Sequence, residues 1–254
     1  MSDITERHAI TRVRHELKMR KLSVSRVQNL TPHMVRVTVT GPDLEGFVTA
    51  SPDDHVKLFF PVDDGAINTP TMTPEGPVFA EGVTPSPARD YTPRRYNAAH
   101  NELDIDFVLH GEGPASTWAE RVKVGDTLGV GGPRGSMIVP HDFDHYVLVG
   151  DETALPAIGR WLEELPASTP VTVLVEIASN EEKQILARDV HWFVRDRSLP
   201  SLDDTLAALP IPRGDTFWWV ATESKRARSL RSLLVETRGI DKDWVKATGY
   251  WQAD

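Results

Sequence analysis

Halfway along the chain the spacing of apolar residues changes. In ELDIDFVLHG, Leu103, Ile105, Phe107 and Leu109 recur at every second position, and in HMVRVTVTG Val35, Val37 and Val39 alternate with Arg36 and Thr38. A two-residue period turns one face of a strand towards a core. VSRVQNL and HVKLFFP, the latter stopped by Pro61, read as further strands, and GDTLGVGGPRGSMIV as two short ones about a glycine-rich corner. The stretch from Val62 to Pro87 is rich in turn residues. Short strands at this spacing predict a small barrel or sandwich.

Past Pro140 the apolar residues run together in HYVLVG, VTVLVEIA and TFWWVAT. Such runs belong to strands buried on both faces. Between and after them the period approaches that of a helix: Leu155, Ile158, Leu162 and Leu165; Leu202, Leu206 and Leu209; Ala227, Leu230 and Leu234. Strands alternating with helices predict an α/β layer with a mainly parallel sheet. We place the boundary in VPHDFDH. Residues 1–18 then form a polar arm, 19–139 a β domain and 140–254 an α/β domain.

Length and charge narrow the partners. The chain has 254 residues and a formal charge of −9, which disfavours broad contact with nucleic acid or an anionic membrane while leaving room for a local basic pocket. There is no cysteine, so disulfides, thiolate nucleophiles and iron–sulfur ligation are excluded. MSDITERHAI lacks a signal-peptide core and no long apolar run follows, so a cytoplasmic location is expected.

Against that acidic background, RDYTPRRY concentrates cations around an aromatic ring. Tyr91 offers a ring face, Thr92 a hydroxyl and an amide, and Arg89 and Arg94 charge-assisted bonds to phosphate. An exposed basic loop reads the same way. HGEGPASTWA, from His110, follows the clearest strand; Gly111 and Gly113 permit a tight path into a helix start whose amides could hold a diphosphate. A plain strand–turn–helix join capped by Ser116 or Thr117 is the alternative. In GDETALPAI, Asp151 and Glu152 follow a buried strand and Thr153 could cap the next helix. Lys225, Arg226 and Arg228 could meet a nucleotide phosphate or only solvate a helix face. HDFDH spaces His141 and His145 four apart, but outside a helix that spacing does not align ligands, so no metal site is expected.

RDYTPR, HGEGPASTWA, DDHVKLFFP, GGPRGS, GDETALPAI and the final GYW, in this order, resemble the siderophore-interacting protein family of flavin-dependent ferric-siderophore reductases, from about Arg14 onward. Within it the chain is most similar to the cytoplasmic enterobacterial type that reduces ferric tris-catecholates with NADPH. The resemblance implies a ferredoxin-reductase-like pair of domains: a six-stranded antiparallel barrel carrying FAD, then an α/β domain for NADPH or NADH. It implies Tyr91 and Thr92 at the flavin ring, Arg89 and Arg94 in support, and amides of Gly113, Ala115 and Ser116 on the diphosphate, with His110 in the same turn. Asp151 and Thr153 fall near the nicotinamide. Lys57, Arg134 and Lys246 fall at an anionic ferric siderophore. Trp118 packs the helix on the barrel. Two departures stand out: Thr222 replaces a family glycine before Glu223, and Gln252 replaces a frequent arginine. A siderophore carrier without turnover, or a flavin reductase serving another acceptor, are the rival functions.

Overall fold

The computed structural model describes residues 7–253. They divide into two units, 11–138 and 7–10 together with 139–253.

The first unit is built from β1 (Thr11–Arg14), β2 (Met19–Thr31), β3 (Met34–Thr40), β4 (Val56–Phe59), a hairpin of β5 (Thr71–Thr73) and β6 (Gly76–Val78), β7 (Ala88–Tyr91), β8 (Arg95–Asn97), β9 (Glu102–Val108), α1 (Gly113–Ala119), β10 (Thr127–Gly131) and β11 (Gly135–Ile138). Its main sheet is antiparallel, in the order β7-β4-β10-β2-β3-β9-β8. Seven strands stand where six were expected. The run 88–97 breaks at Thr92–Arg94, because Pro93 has no amide hydrogen to give a ladder. The two halves pair with opposite edges of the sheet, β7 with β4 and β8 with β9. The break therefore joins those edges.

Alternation fills the barrel: Val37, Val39, Leu103, Ile105, Phe107, Leu128 and Val130 are wholly buried. The opposite face of β3 and β9 is polar yet also buried. Arg36 holds Asp106 with two bonds of 2.7 and 2.8 Å, and the Thr38 hydroxyl donates to Asp104 at 2.7 Å. Charge-assisted cross-strand pairs replace water on that face.

The polar arm needs correction where it is described; Met1 to Glu6 lie outside the described residues. Thr11–Arg14 is a strand paired with Gly135–Ile138. All four of its side chains are exposed, so no apolar period announced it. Gly135 makes the pairing possible: a Cβ there would lie 2.5 Å from the Val13 carbonyl oxygen. Upstream, the His8 ring stacks on Phe143 at 3.9 Å, with Nδ1 2.8 Å from Asp142 and Nε2 2.9 Å from Asp215. Arg7 reaches Asp144 and Asp215, both at 3.2 Å. The aspartates of HDFDH thus anchor residues 7 and 8.

The second unit comprises β12 (His145–Gly150), α2 (Leu155–Glu164), β13 (Val171–Ile177), β14 (His191–Val194), α3 (Leu202–Ala208), β15 (Thr216–Glu223), α4 (Ser224–Ser232) and β16 (Val245–Trp251). The five strands are all parallel, in the order β14-β13-β12-β15-β16. The continuous apolar runs are its buried central strands, and β15 is buried at every position. The helices bury the faces their spacing marks, with Leu155, Ile158, Leu162, Leu202, Leu206, Ala227 and Leu230 all buried.

Candidate functional site

Tyr91 closes β7 opposite Val56, and its ring lies 4.5 Å from that of Phe107. Burial drives its phenol far above the ordinary range, against the nearby Arg89 charge, so the hydroxyl stays neutral. Thr92 and Arg94 are drawn into the barrel wall, 6% and 8% exposed, and the Arg94 amide donates to the Asp104 carbonyl at 2.9 Å. Arg89 differs: it is exposed and its guanidinium donates to the Ala88 carbonyl at 2.8 Å. The break in the barrel therefore gathers a ring, a hydroxyl and a buried guanidinium within four residues.

The turn after β9 is held from inside. Ser116 Oγ accepts the His110 amide at 2.9 Å and the Gly111 amide at 3.1 Å. The hydroxyl reading as a helix cap is thereby replaced: Ser116 ties the turn that precedes the helix. Gly111 and Gly113 have φ of 78° and 76°, the left-handed hand that favours glycine. A Cβ on either would meet nothing within 4 Å, so the space before them is open. Glu112, at the N-cap, gives no side-chain bond to the helix, and Pro114 has no amide hydrogen. The amides of Gly113, Ala115 and Ser116 thus begin α1 with no side chain capping them, as an anion acceptor requires. Trp118 packs α1 on the barrel, 5.6 Å from the rings of Phe60 and Phe107. Uncapped amides, a buried cation and an aromatic face are a donor set that suits FAD.

In the second unit Asp151 is buried and its carboxylate is fully engaged. Oδ1 accepts the Thr153 amide at 2.9 Å and hydroxyl at 2.5 Å; Oδ2 accepts the Thr222 hydroxyl at 2.7 Å and the Trp251 indole at 2.9 Å. The cap before α2 is therefore Asp151, and Thr153 is bonded to it, because a 3-10 turn, Glu152–Ala154, precedes the helix. Thr222 is a buried hydroxyl donor. Nothing in the spacing of residues 151, 222 and 251 announced this junction; only the parallel register of the sheet assembles it.

Arg226 is engaged within its own unit. Its guanidinium bonds Glu176 at 2.8 and 3.1 Å and Asp203 at 2.6 and 3.0 Å. Burial acts against its charge, but these carboxylates outweigh it and hold the pKa above the ordinary range. Arg195 joins the network through Glu176 at 3.2 Å and Glu152 at 2.7 Å. The guanidinium thus bridges Glu176 and Asp203 within the unit. Lys225 is exposed. Of the three cations expected at a siderophore, Lys57 and Arg134 belong to the first unit and Lys246 to the second. Lys57 is paired with Asp90 at 2.7 Å, Arg134 is exposed, and Lys246 sits beside Trp219 in the β16–β15 register.

Residues 23–137 match the family model of the siderophore-interacting FAD-binding domain, and residues 143–254 that of the siderophore-interacting protein. The chain is 39% identical to an NADPH-dependent ferric-chelate reductase of Escherichia coli, over 95% of this chain and 96% of that one. It is 34% identical to a ferric vibriobactin reductase of Vibrio cholerae, over 92% and 89%. The crystal structure of a siderophore utilization protein from T. fusca superposes with a TM-score of 0.87 at 36% identity, covering 96% of each chain. With matched segments in both units and a relative aligned along nearly its whole length, the chain belongs to the siderophore-interacting protein family.

Proposed function

We propose that this protein is a flavin-dependent ferric-siderophore reductase that draws electrons from NADPH and releases Fe(II) in the cytoplasm, where that nucleotide is available. The observation that carries the reading is the open, uncapped start of α1 beside the Tyr91–Arg94 break, inside the segment that matches the FAD-binding family. When bound, FAD accepts a hydride and passes electrons on singly, the conversion needed between a two-electron donor and Fe(III).

The chain's own residues bind and orient. The amides of Gly113, Ala115 and Ser116 receive the diphosphate, and Ser116 Oγ keeps the His110–Gly111 turn in place for them. Tyr91 supplies a neutral ring face; Thr92 and Arg94 supply a hydroxyl and a fixed positive charge. Residues 19–139 serve as the FAD domain and 140–254 as the nucleotide domain, with Asp151 and Thr153 shaping the donor side. The acceptor we assign is an anionic ferric siderophore of the catecholate type. Lys57, Arg134 and Lys246 supply local cations that a chain of net charge −9 does not supply in bulk. No residue has to move a proton for outer-sphere reduction of iron, and Fe(II) leaves because catecholate oxygens hold it less tightly.

Anaerobic stopped-flow mixing tests this reading. NADPH should bleach the bound flavin, and a ferric tris-catecholate should restore its colour while Fe(II) is captured by a chromogenic chelator. Flavin that bleaches but is not reoxidised by any ferric chelate would leave a flavin reductase for another acceptor. A purified protein that binds the ferric chelate but retains no flavin would be a carrier.

A further inference from the structure

The chain is acidic as a whole, yet one part of the first unit gathers cations. Arg14 at the end of β1, Lys18 and Arg20 line a cleft of about 240 Å³ against the Gly132–Pro133 corner between β10 and β11. Lys57 and Arg134 do not line it. Arg20 stands opposite Val130 of β10, whereas Lys57 stands opposite Gly131, one position on. Successive positions of a strand face opposite ways, so Arg20 and Lys57 lie on different faces of the sheet.

Arg20 is the informative member. It is 5% exposed, and backbone carbonyls take most of its guanidinium: Nε donates to Asp43 at 3.1 Å, and Nη1 to Gly132 at 2.7 Å and Lys18 at 3.3 Å. Nη2, with two N–H groups, has no partner among the described residues, and the guanidinium forms no ion pair among them. Arg36 and Arg226, by contrast, are each met by carboxylates. Carbonyl dipoles offset only part of the cost of burying a full charge. Burial is accordingly the leading influence on Arg20 and draws it below the ordinary arginine range, with Asp43 and Tyr96 acting the other way.

The rim adds to that charge. Arg14 is exposed and forms no ion pair among the described residues, and Lys18 holds Glu16, another lining residue, at 3.3 Å between exposed side chains. Three cations against one carboxylate leave an excess of two positive charges. The wall is preset as well: the Ser136 hydroxyl gives its hydrogen to Asp54 at 2.7 Å, so the His15 ring, which lines the cleft, donates to Ser136 through Nε2 at 2.7 Å.

We propose that this cleft is an anion site, built from residues that the flavin, nucleotide and siderophore readings do not use, and that it takes a compact dianion of the phosphate type with one oxygen on Arg20 Nη2. The excess of positive charge sets the charge of the ligand. The volume, below that of a drug-sized pocket, sets its size as inorganic phosphate or the phosphoryl end of a small metabolite. A tetrahedral oxyanion offers one oxygen to each of three cations arriving from different segments, and the bond from a guanidinium to such an oxygen is charge-assisted.

Calorimetric titration of the flavin-loaded full chain with inorganic phosphate, at constant ionic strength made up with chloride, tests the site. Arg14→Gln and Lys18→Gln, both altered on exposed side chains, should each weaken binding roughly three- to fivefold and together about tenfold or more. Glu16→Gln should tighten it about threefold. Arg20→Gln should weaken it at least tenfold, as loss of a hydrogen bond to a charged group does. If that variant does not accumulate, because Arg20 also ties three carbonyls, the Arg14, Lys18 and Glu16 variants decide. Lys21→Gln makes the same change of net charge on an exposed neighbour of Arg20 and should leave the constant within about twofold. So should the Lys57→Gln, Arg134→Gln pair. Glycerol 3-phosphate separates the two sources: binding as tight as that of inorganic phosphate identifies a phosphorylated metabolite, weaker binding the free ion, and either supports the site when it follows the Arg14 and Lys18 variants. No saturable heat in the wild type overturns the proposal. A constant that follows Lys21→Gln or the Lys57, Arg134 pair, and not Arg14→Gln and Lys18→Gln, also overturns it.

Discussion

Replacing Ser116 by alanine removes a single oxygen and tests whether the turn before α1 is kept in shape for a cofactor. Ser116 is 1% exposed, and its Oγ accepts two amides, from His110 and Gly111, while donating to Glu120 at 3.3 Å. Alanine leaves almost no cavity, so the cost comes from the two amides. An unmet buried donor costs about 1–3 kcal/mol. His110 and Gly111 are both exposed, so water can reach the amides and the lower end applies, about 2 kcal/mol for the pair. If FAD must restore the turn on binding, that cost falls on its affinity. At about 1.4 kcal/mol per tenfold, the dissociation constant should rise roughly 10- to 30-fold. Titration of flavin-free protein with FAD, read by quenching of flavin fluorescence, measures it directly. A variant with a lowered melting temperature but an FAD constant within twofold of wild type would show that the Ser116 bonds serve stability alone.

Arg226→Ala removes a shared partner from Glu176 and Asp203 and should cost about 2–3 kcal/mol in urea unfolding, discounted from a fully buried pair because Arg226 is partly exposed; donor half-saturation should stay within threefold, and a tenfold loss at unchanged stability would restore Arg226 as a phosphate ligand. The same variant should alter pH dependence. Burial pushes Glu176 up, but Arg226 and then Arg195 outweigh it and hold it below its ordinary range. A depressed carboxyl contributes stability above its unfolded pKa, about 4.3, and loses it as pH falls through the folded value. The drop in urea midpoint from pH 7 to pH 4 should therefore be smaller in Arg226→Ala, and an identical drop would refute the assignment. Asp90→Asn frees Lys57 from its pair and should lower the half-saturating concentration of a trianionic ferric chelate about 2- to 5-fold in low salt, with the gain vanishing in high salt; no change at low ionic strength would remove Lys57 from the substrate surface.

Much of this architecture is legible wherever burial imposes a period. Leu103, Ile105 and Phe107 mark β9, and HYVLVG, VTVLVEIA and TFWWVAT mark the central parallel strands, because each must satisfy a core. Strands that satisfy little core escape. β14 has four residues and lies at a sheet edge, β16 lies at the other edge, and β1 exposes every side chain. The candidate site divides in the same way. The Tyr91–Arg94 break and the α1 turn are local, and their residue types announce their chemistry. Arg226 carries the same charge as Lys225, but its partners lie 50 and 23 residues away, so only the folded sheet shows that its charge is already engaged. Lys57 and Asp90 are 33 apart and meet through the β4–β7 register.

The clamp formed by Arg7 and His8 bears on how the chain is made and dissected. Synthesis delivers these residues before the barrel strands, yet Asp215, which meets both, emerges only after every strand of the barrel unit has been translated. The nascent barrel can close while residues 7 and 8 still await their acceptors, so the α/β unit is completed from both sides of the barrel's sequence. A fragment beginning at residue 139 would present Phe143 without its stacked imidazole and Asp142, Asp144 and Asp215 without their cations. Excising the α/β unit for separate work therefore calls for a permuted chain that carries residues 7–10.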